Sequence, residues 1–361
     1  MKRVAMLRTF CMLFCLLAIG YSNAQNIYAG RYKASFTGPP RMAPTGKVPD
    51  APLAGNGDIG LTLGGTPDQL SFYLGKNDFW RAWPVYPGGG IAFPGALQVN
   101  IKALKGASWY AEQVMDKAAI QASFSNGQTK VSLHTWVAAT QNTVVAEFTA
   151  SEPCQLQLKL WGPKAILINN AGTSHGVQWV TRSFKDTALL EWPCDIAIAM
   201  KVLGASVVNN EVTLLPGKKI ILTLTLFTNF DHPQWKAQAI KTASALTAAG
   251  IEKKRMAHER WWQQFWSRST VQFGDPYLEK YYYASQYLLA CASRGNKFAP
   301  GIWGPFITKD STSWGGDYHL NYNYQAPYWG HTLPTSLTWW VIMISLYWII
   351  YRMARRMPGN C

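Results

Sequence analysis

The stretch IILTLTLF, residues 220–227, decides the fold class. Ile220, Leu222, Leu224 and Leu226 alternate with Ile221, Thr223 and Thr225, so one apolar face recurs with the period of a β-strand. Pro216 and Gly217 mark a turn just before it. Working outward, CQLQLKLW (154–161) repeats the pattern through Leu156, Leu158 and Leu160, and KVSLHTWV (130–137) through Val131, Leu133, Thr135 and Val137. One apolar face per strand implies a sheet covered on one side by a second sheet. Many such runs between Ile27 and about Phe230, with few helical stretches among them, predict a large antiparallel β-sandwich.

The pattern changes after DHPQW (231–235). Residues 236–268 are rich in Ala, Lys, Gln and Glu and free of Pro, and Trp262, Phe265 and Trp266 recur at helical spacing, so one or two linker helices are expected. Asp275 and Pro276 then form an N-cap and first-turn pair, and Gly295 closes a helix of about twenty residues. Tyr282, Gln286 and Leu289 form one row on it, and Tyr283, Tyr287 and Ala290 another; together they give it an apolar face that calls for further helices as partners.

Composition narrows the function classes. The 361-residue chain is 48% hydrophobic and only 15% charged, which excludes a disordered polyampholyte. Its net charge of +15 raises nucleic acid as a partner, but the basic residues are scattered, and Lys2, Arg3, Arg8, Arg352, Arg355 and Arg356 lie at the two ends, so no nucleic-acid partner is expected. A basic start, an apolar run from Phe10 to Ile19 and the small residues Ser22 and Ala24 read as a signal peptide over 1–24, and hence as export to the periplasm or outside the cell. Of the cysteines beyond it, Cys154 and Cys194 could pair or remain as buried thiols. Nothing in the spacing requires a metal or an organic cofactor.

Four stretches carry a family resemblance. DAPLAGNGDIGLTLGGTPDQLSFYLGKNDFW (50–80), with its Gly-Asn-Gly turn and Asn-Asp-Phe-Trp element, resembles the opening of the N-terminal sandwich of glycoside hydrolase family 95. HERWWQQFWSRSTVQF (258–273), APGIWGPF (299–306) and WGGDYHLNYNYQAPYW (314–329) follow in the order in which that family runs from linker helices into an (α/α)6 barrel. The resemblance implies a β-rich chain: a sandwich over 25–233, a helical linker over 234–272 and the first segment of a catalytic barrel, here truncated, over 273–330. It also implies an inverting glycosidase of the α-L-fucosidase or α-L-galactosidase type, acting on terminal sugars of oligosaccharides. In the family an Asn-x-Asn pair holds the attacking water with a downstream Asp as base, while a downstream Glu is the acid. That pair maps onto Asn321 and Asn323, whose amide carbonyls could polarise a water without carrying charge.

Around that pair, Trp303, Trp314 and Trp329 could stack on a pyranose face, and Asp317, His319 and Gln325 could bind its hydroxyls. Each has a structural alternative: the tryptophans as core, Asp317 as a helix cap and His319 as a packed ring. Gly55, Gly57, Gly64 and Gly65 read as turn positions with unusual dihedrals, and Asn77 and Asp78 as either turn residues or reach into the barrel mouth.

No Asp or Glu follows Asp317, so the chain as written lacks the expected acid and base and is expected to be inactive. Its last 31 residues, 331–361, depart from the family. They read either as the product of a shifted reading frame or, through the apolar run 337–351 followed by arginines, as a membrane contact. A non-catalytic carbohydrate-binding or membrane-tethered sandwich, or a relative acting on α-glucosides, stays open beside the fucosidase reading.

Overall fold

A computed structural model describes residues 29–81, 90–163, 167–184, 194–268, 270–295 and 297–329. The signal peptide expected over 1–24, the tail 331–361 and the membrane contact expected at 337–351 lie outside the described residues. In chain order the strands are β1 (Lys33–Phe36), β2 (Leu53–Gly55), β3 (Ile59–Thr66), β4 (Gln69–Lys76), β5 (Trp80–Arg81), β6 (Gly90–Ile91), β7 (Gly95–Asn100), β8 (Ser108–Val114) and β9 (Ala119–Ser125). They continue with β10 (Lys130–Val137), β11 (Thr143–Ala150), β12 (Cys154–Trp161), β13 (Leu167–Ser174), β14 (Val177–Phe184), β15 (Asp195–Leu203), β16 (Glu211–Leu214) and β17 (Ile220–Thr228). The helices are α1 (Trp235–Ser244), α2 (Ala248–Trp266), α3 (Pro276–Ala292) and α4 (Tyr322–Trp329).

The strands form a nine-stranded sheet, β1-β8-β9-β10-β11-β17-β15-β14-β13, and a six-stranded sheet, β16-β12-β7-β4-β3-β2. Every pairing within them is antiparallel, as the alternating apolar runs predict. The main core lies between the two sheets and joins Leu61, Phe72, Leu97 and Leu158 of one to Phe124, Leu133, Phe148 and Leu224 of the other. Phe72 meets Phe148 edge-on across the interface at 6.2 Å.

The second face of the large sheet departs from the half-covered sheet that period two implies. In β17 the Thr223 and Thr225 side chains are as buried as the leucines. The cause is α1 and α2, which lie against the outer face. Ala239 and Ala243 of α1 pack on Ala197 and Ala199 of β15, small residues that allow close approach. Thr225 Oγ1 donates to the carbonyl of Ala239 at 3.1 Å, which satisfies a hydroxyl that would otherwise be costly to bury. In α2, Ile251 packs against Trp136, Val145 and Ile221. These helices therefore form a wall on the sandwich.

At its N-terminus α3 follows the sequence: Asp275 accepts from the amides of Tyr277 (2.8 Å) and Leu278 (3.3 Å), with Pro276 in the first turn. Its Tyr283, Tyr287 and Ala290 row is buried, but against Trp262 and Trp266 of α2 and Leu53 and Met115 of the sandwich, where further barrel helices were expected. Tyr277, Leu278, Tyr281 and Leu288 stay exposed.

Two of the four glycines singled out as turns have the expected left-handed backbone, Gly57 at φ 81° and Gly65 at φ 85°. Gly55 and Gly64 lie in strands. At Gly55 the requirement is proximity: a β-carbon there would stand 2.4 Å from the carbonyl oxygen of Cys291, where α3 crosses β2. Cys154 and Cys194 are free and buried, which decides against their pairing.

Candidate functional site

Beyond α3, the segment from Gly301 to Trp329 folds back over the outer face of the six-stranded sheet, where Trp303 and Ile307 pack with Tyr73 of β4 and Ala96 of β7. Ile302 N donates to the carbonyl of Asp317 at 2.9 Å, closing a loop whose far end is the 3-10 turn Ser313–Gly316. Trp314, Gly315 and Gly316 take φ values of 55°, 64° and 66° in succession, which turns the chain sharply enough to present the Trp314 ring outward. Gly316 has no room for a side chain, since a β-carbon would lie 2.6 Å from Ile91.

This turn brings four of the expected site residues together. Trp303 stacks on Trp314 with ring centroids 6.2 Å apart, and its Nε1 donates to the carbonyl of Ser313 at 2.7 Å. Trp314 is 62% exposed, a cost that a core residue would not carry, and lies 5.2 Å from the His319 ring. His319 Nδ1 meets the Asp317 carboxylate. Asp317 is exposed; its backbone N–H closes the 3-10 turn by donating to the carbonyl of Trp314 at 3.3 Å, and it caps no α-helix, since α4 begins only at Tyr322. The result is a line of two indoles, an imidazole and a carboxylate along one edge, a combination able to stack on a ring and hydrogen-bond its hydroxyls.

Asn321 and Asn323 follow, both exposed, at the turn into α4 and in its first turn. The backbone carbonyl of Asn321 accepts from Tyr324 N and Gln325 N, each at 3.2 Å, and so starts the helix. Gln325 Nε2 is turned back to the carbonyl of Leu320 at 3.3 Å. Trp329 packs edge-on against Tyr322. On the buried side of α4, Tyr324 and Tyr328 pack with Ala299, and the Tyr328 hydroxyl contacts Ser293 Oγ at 3.2 Å. Tyr318 stacks on Trp80 at 5.0 Å and donates to the carbonyl of Ala299 at 2.9 Å, so the residue just before His319 is fixed to both the sandwich and the helical segment.

Asn77 and Asp78, read from sequence as turn or barrel-mouth residues, belong to a buried polar knot beneath this segment. Lys76 is fully buried, and its Nζ lies 2.7 Å from Asp58, 3.0 Å from Asp78 and 3.3 Å from Asp231. Lys297 adds a second cation 3.4 Å from Asp58, and Thr228 donates to Asp78 at 2.8 Å. Burial raises the Asp78 pKa against the pull of Lys76, whereas at Asp58 Lys76 and Lys297 overcome burial and lower it. Asn77 Nδ2 donates to the carbonyls of Gly57 (3.0 Å) and Ala292 (2.9 Å), tying the Gly-Asn-Gly turn to the end of α3. These residues hold the helical segment to the sandwich. Lys76 and Asp231 carried no sequence signal, because each is a single charge in an otherwise ordinary run.

Among the described residues, no group of three or more His, Cys, Asp or Glu side chains could hold a metal ion. No helix among them is long and apolar enough to cross a membrane.

Comparison with known proteins places these features. Residues 240–338 match the glycosyl hydrolase family 95 catalytic domain. Over 58 residues, 16% of this chain and 8% of the relative, the sequence is 40% identical to Probable alpha-fucosidase A of Aspergillus oryzae (strain ATCC 42149 / RIB 40). A solved structure from the human microbiome, named as a kojibiose phosphorylase, superposes with a TM-score of 0.50 at 12% identity, covering 73% of this chain and 42% of its own, a likeness of fold alone. The chain thus spans less than half the length of either protein. Together these findings make it a glycosidase-like protein whose helical segment resembles the catalytic domain of glycoside hydrolase family 95.

Proposed function

We propose that the edge formed by Trp303, Trp314, Asp317 and His319, with Asn321 and Asn323 beside it, is the amide and aromatic part of a sugar subsite of the inverting α-L-fucosidase or α-L-galactosidase type. The observation that carries this reading is the contact chain from Trp303 through Trp314 and His319 to Asp317, inside the region that matches the family 95 catalytic domain. Asn321 and Asn323 would hold the attacking water by their side-chain carbonyls, and Trp314 would stack on the ring. Inversion also needs an acid and a base on opposite sides of the sugar. Of the side chains placed on this edge only Asp317 is a carboxylate, so this chain is proposed to bind the sugar without turning it over. The protein is further proposed to be exported, on the pattern of residues 1–24.

Saturation-transfer NMR with 2'-fucosyllactose tests the reading. The expected result is contact to the fucose ring that Trp314→Ala and Asn323→Ala weaken, with no free fucose released; loss of a general acid or base alone slows hydrolysis by about 10²–10⁴-fold. Released fucose would overturn the inactivity, and absence of fucose contact would overturn the subsite. A second reading, a non-catalytic glycan-binding protein, draws on the same single carboxylate. Retention of the chain on glycans other than α-L-fucosides, again without product, would favour it.

A further inference from the structure

The nine-stranded sheet has a stretch of outer face that α1 and α2 leave open. There β8, β9, β10 and β11 pair in register, and Glu112, Gln121, His134 and Glu147 fall into one row across them. Two residues away along each strand, Tyr110, Ser123, Ser132 and Thr149 form a second row. The opposite faces of the same strands, including Ala111, Phe124, Leu133 and Phe148, are core. The two rows line a groove of about 540 Å³ with Lys219 and Arg255 at its side, within the size range of ligand sites. Neighbouring strands are about 4.8 Å apart, so four of them offer a platform roughly 14 Å across, long enough for a short run of sugar rings.

We propose that this groove binds a neutral oligosaccharide, independently of the segment Gly301–Trp329 and of the reading given to it. The charge arrangement selects the occupant. Glu147 is matched by Arg255, by Lys219 at 3.4 Å and by His134 at 3.3 Å, and Glu112 by Lys33 at 2.6 Å. A polyanion would meet two fixed carboxylates, and a polycation would meet Arg255 and Lys219. A polyhydroxyl chain meets no such opposition: its hydroxyls can donate to Glu112 and Glu147 and accept from Arg255, Gln121 and the serines. Tyr110, 43% exposed at the end of the second row, supplies an aromatic face for a pyranose to stack on. On the opposite face the row Ala111, Ala122, Leu133 and Phe148, which lies between the two polar rows, is apolar core, so the polar grid is a property of the exposed face.

The test uses the full 361-residue chain and a panel of neutral oligosaccharides, namely xyloglucan heptasaccharide, mannohexaose and galactohexaose, with oligogalacturonate as the anionic comparator. The expected result is binding of at least one neutral oligomer, weakened about tenfold by Tyr110→Ala and by Gln121→Ala at unchanged melting temperature, and unchanged in Trp314→Ala. Both substituted groove residues are on the surface, so loss of the fold does not confound them. No neutral oligomer bound at about 10 mM would overturn the proposal, as would tighter binding of oligogalacturonate. Binding lost in Trp314→Ala but retained in Tyr110→Ala would overturn it too, by assigning the sugar to the segment Gly301–Trp329.

Discussion

Arg294 is a buried guanidinium whose hydrogen bonds run to three backbone carbonyls: Ala290 (2.8 Å), Ala139 (2.7 Å) and Gly55 (3.4 Å). Its guanidinium carbon lies over the Trp261 ring, 3.5 Å from the centroid, and burial lowers its pKa to about 9. The planar fork lets one side chain join α3, the β10–β11 turn and β2. Gly57 is glycine partly for the same reason, since a β-carbon there would lie 2.3 Å from Arg294 Cγ. Arg294→Met keeps much of the volume but strands three buried acceptors, so a loss of about 3 kcal/mol or more is expected in denaturant unfolding. Arg294→Lys is expected to recover little of it, because a point charge cannot span three carbonyls. Sequence reading singled out Gly57 through its turn motif. It missed Arg294, whose partners at Ala139 and Gly55 are 155 and 239 residues away.

At the scale of elements, α2 docks through a histidine. His258 is buried with its ring 4.9 Å from that of Trp136 and Nε2 2.8 Å from the carbonyl of Lys117. Burial pushes its pKa down to about 4 from an ordinary value near 6.5. Between those values the unfolded chain takes up a proton that the folded chain refuses, so stability falls as pH drops through this window, by about 3 kcal/mol in all. Glu147 titrates lower. Its burial opposes ionisation, but hydrogen bonds with His134 and Arg255 prevail and hold its pKa at about 2. Its contribution is present above the ordinary Glu value and is lost as pH falls toward 2. Urea melts from pH 7 to pH 3 should show the first slope in the native protein and a flatter line over the His258 window in His258→Gln. The helical period of α2 was legible from Trp262 and Trp266. That α2 is a wall of the sandwich was not, because its partners Trp136, Val145 and Ile221 lie on three separate strands.

For the whole molecule, the exposed rings decide behaviour. Tyr277, Leu278 and Tyr281 of α3 and Tyr322 and Trp329 of α4 are more than half exposed, a concentration of apolar surface on one segment that marks association or aggregation. The full chain should therefore bind 8-anilinonaphthalene-1-sulfonate under native conditions and self-associate. Tyr281→Lys and Leu288→Lys should lower both signals. Dye binding equal to that of a fully covered globular protein would show this surface to be covered. The candidate sugar edge belongs to the same segment, and its parts were legible to different degrees. Trp314, Asp317 and His319 were named from a composition suited to polyols. Their contact depends on the left-handed run at Trp314, Gly315 and Gly316, of which only the glycines are visible in a sequence.

By itself the sequence determined what is local: the strands, through a two-residue apolar period, the start of α3, through Asp275 and Pro276, and the residue types gathered at 314–325. Tertiary structure alone decided what lies on the second face of the large sheet, the Lys76 knot, the carbonyl clasp of Arg294 and the cross-strand rows of the open groove. Each of these depends on strand register or on segments far apart in the chain meeting. A burial pattern records that a residue is covered, and only the folded chain fixes which residue covers it.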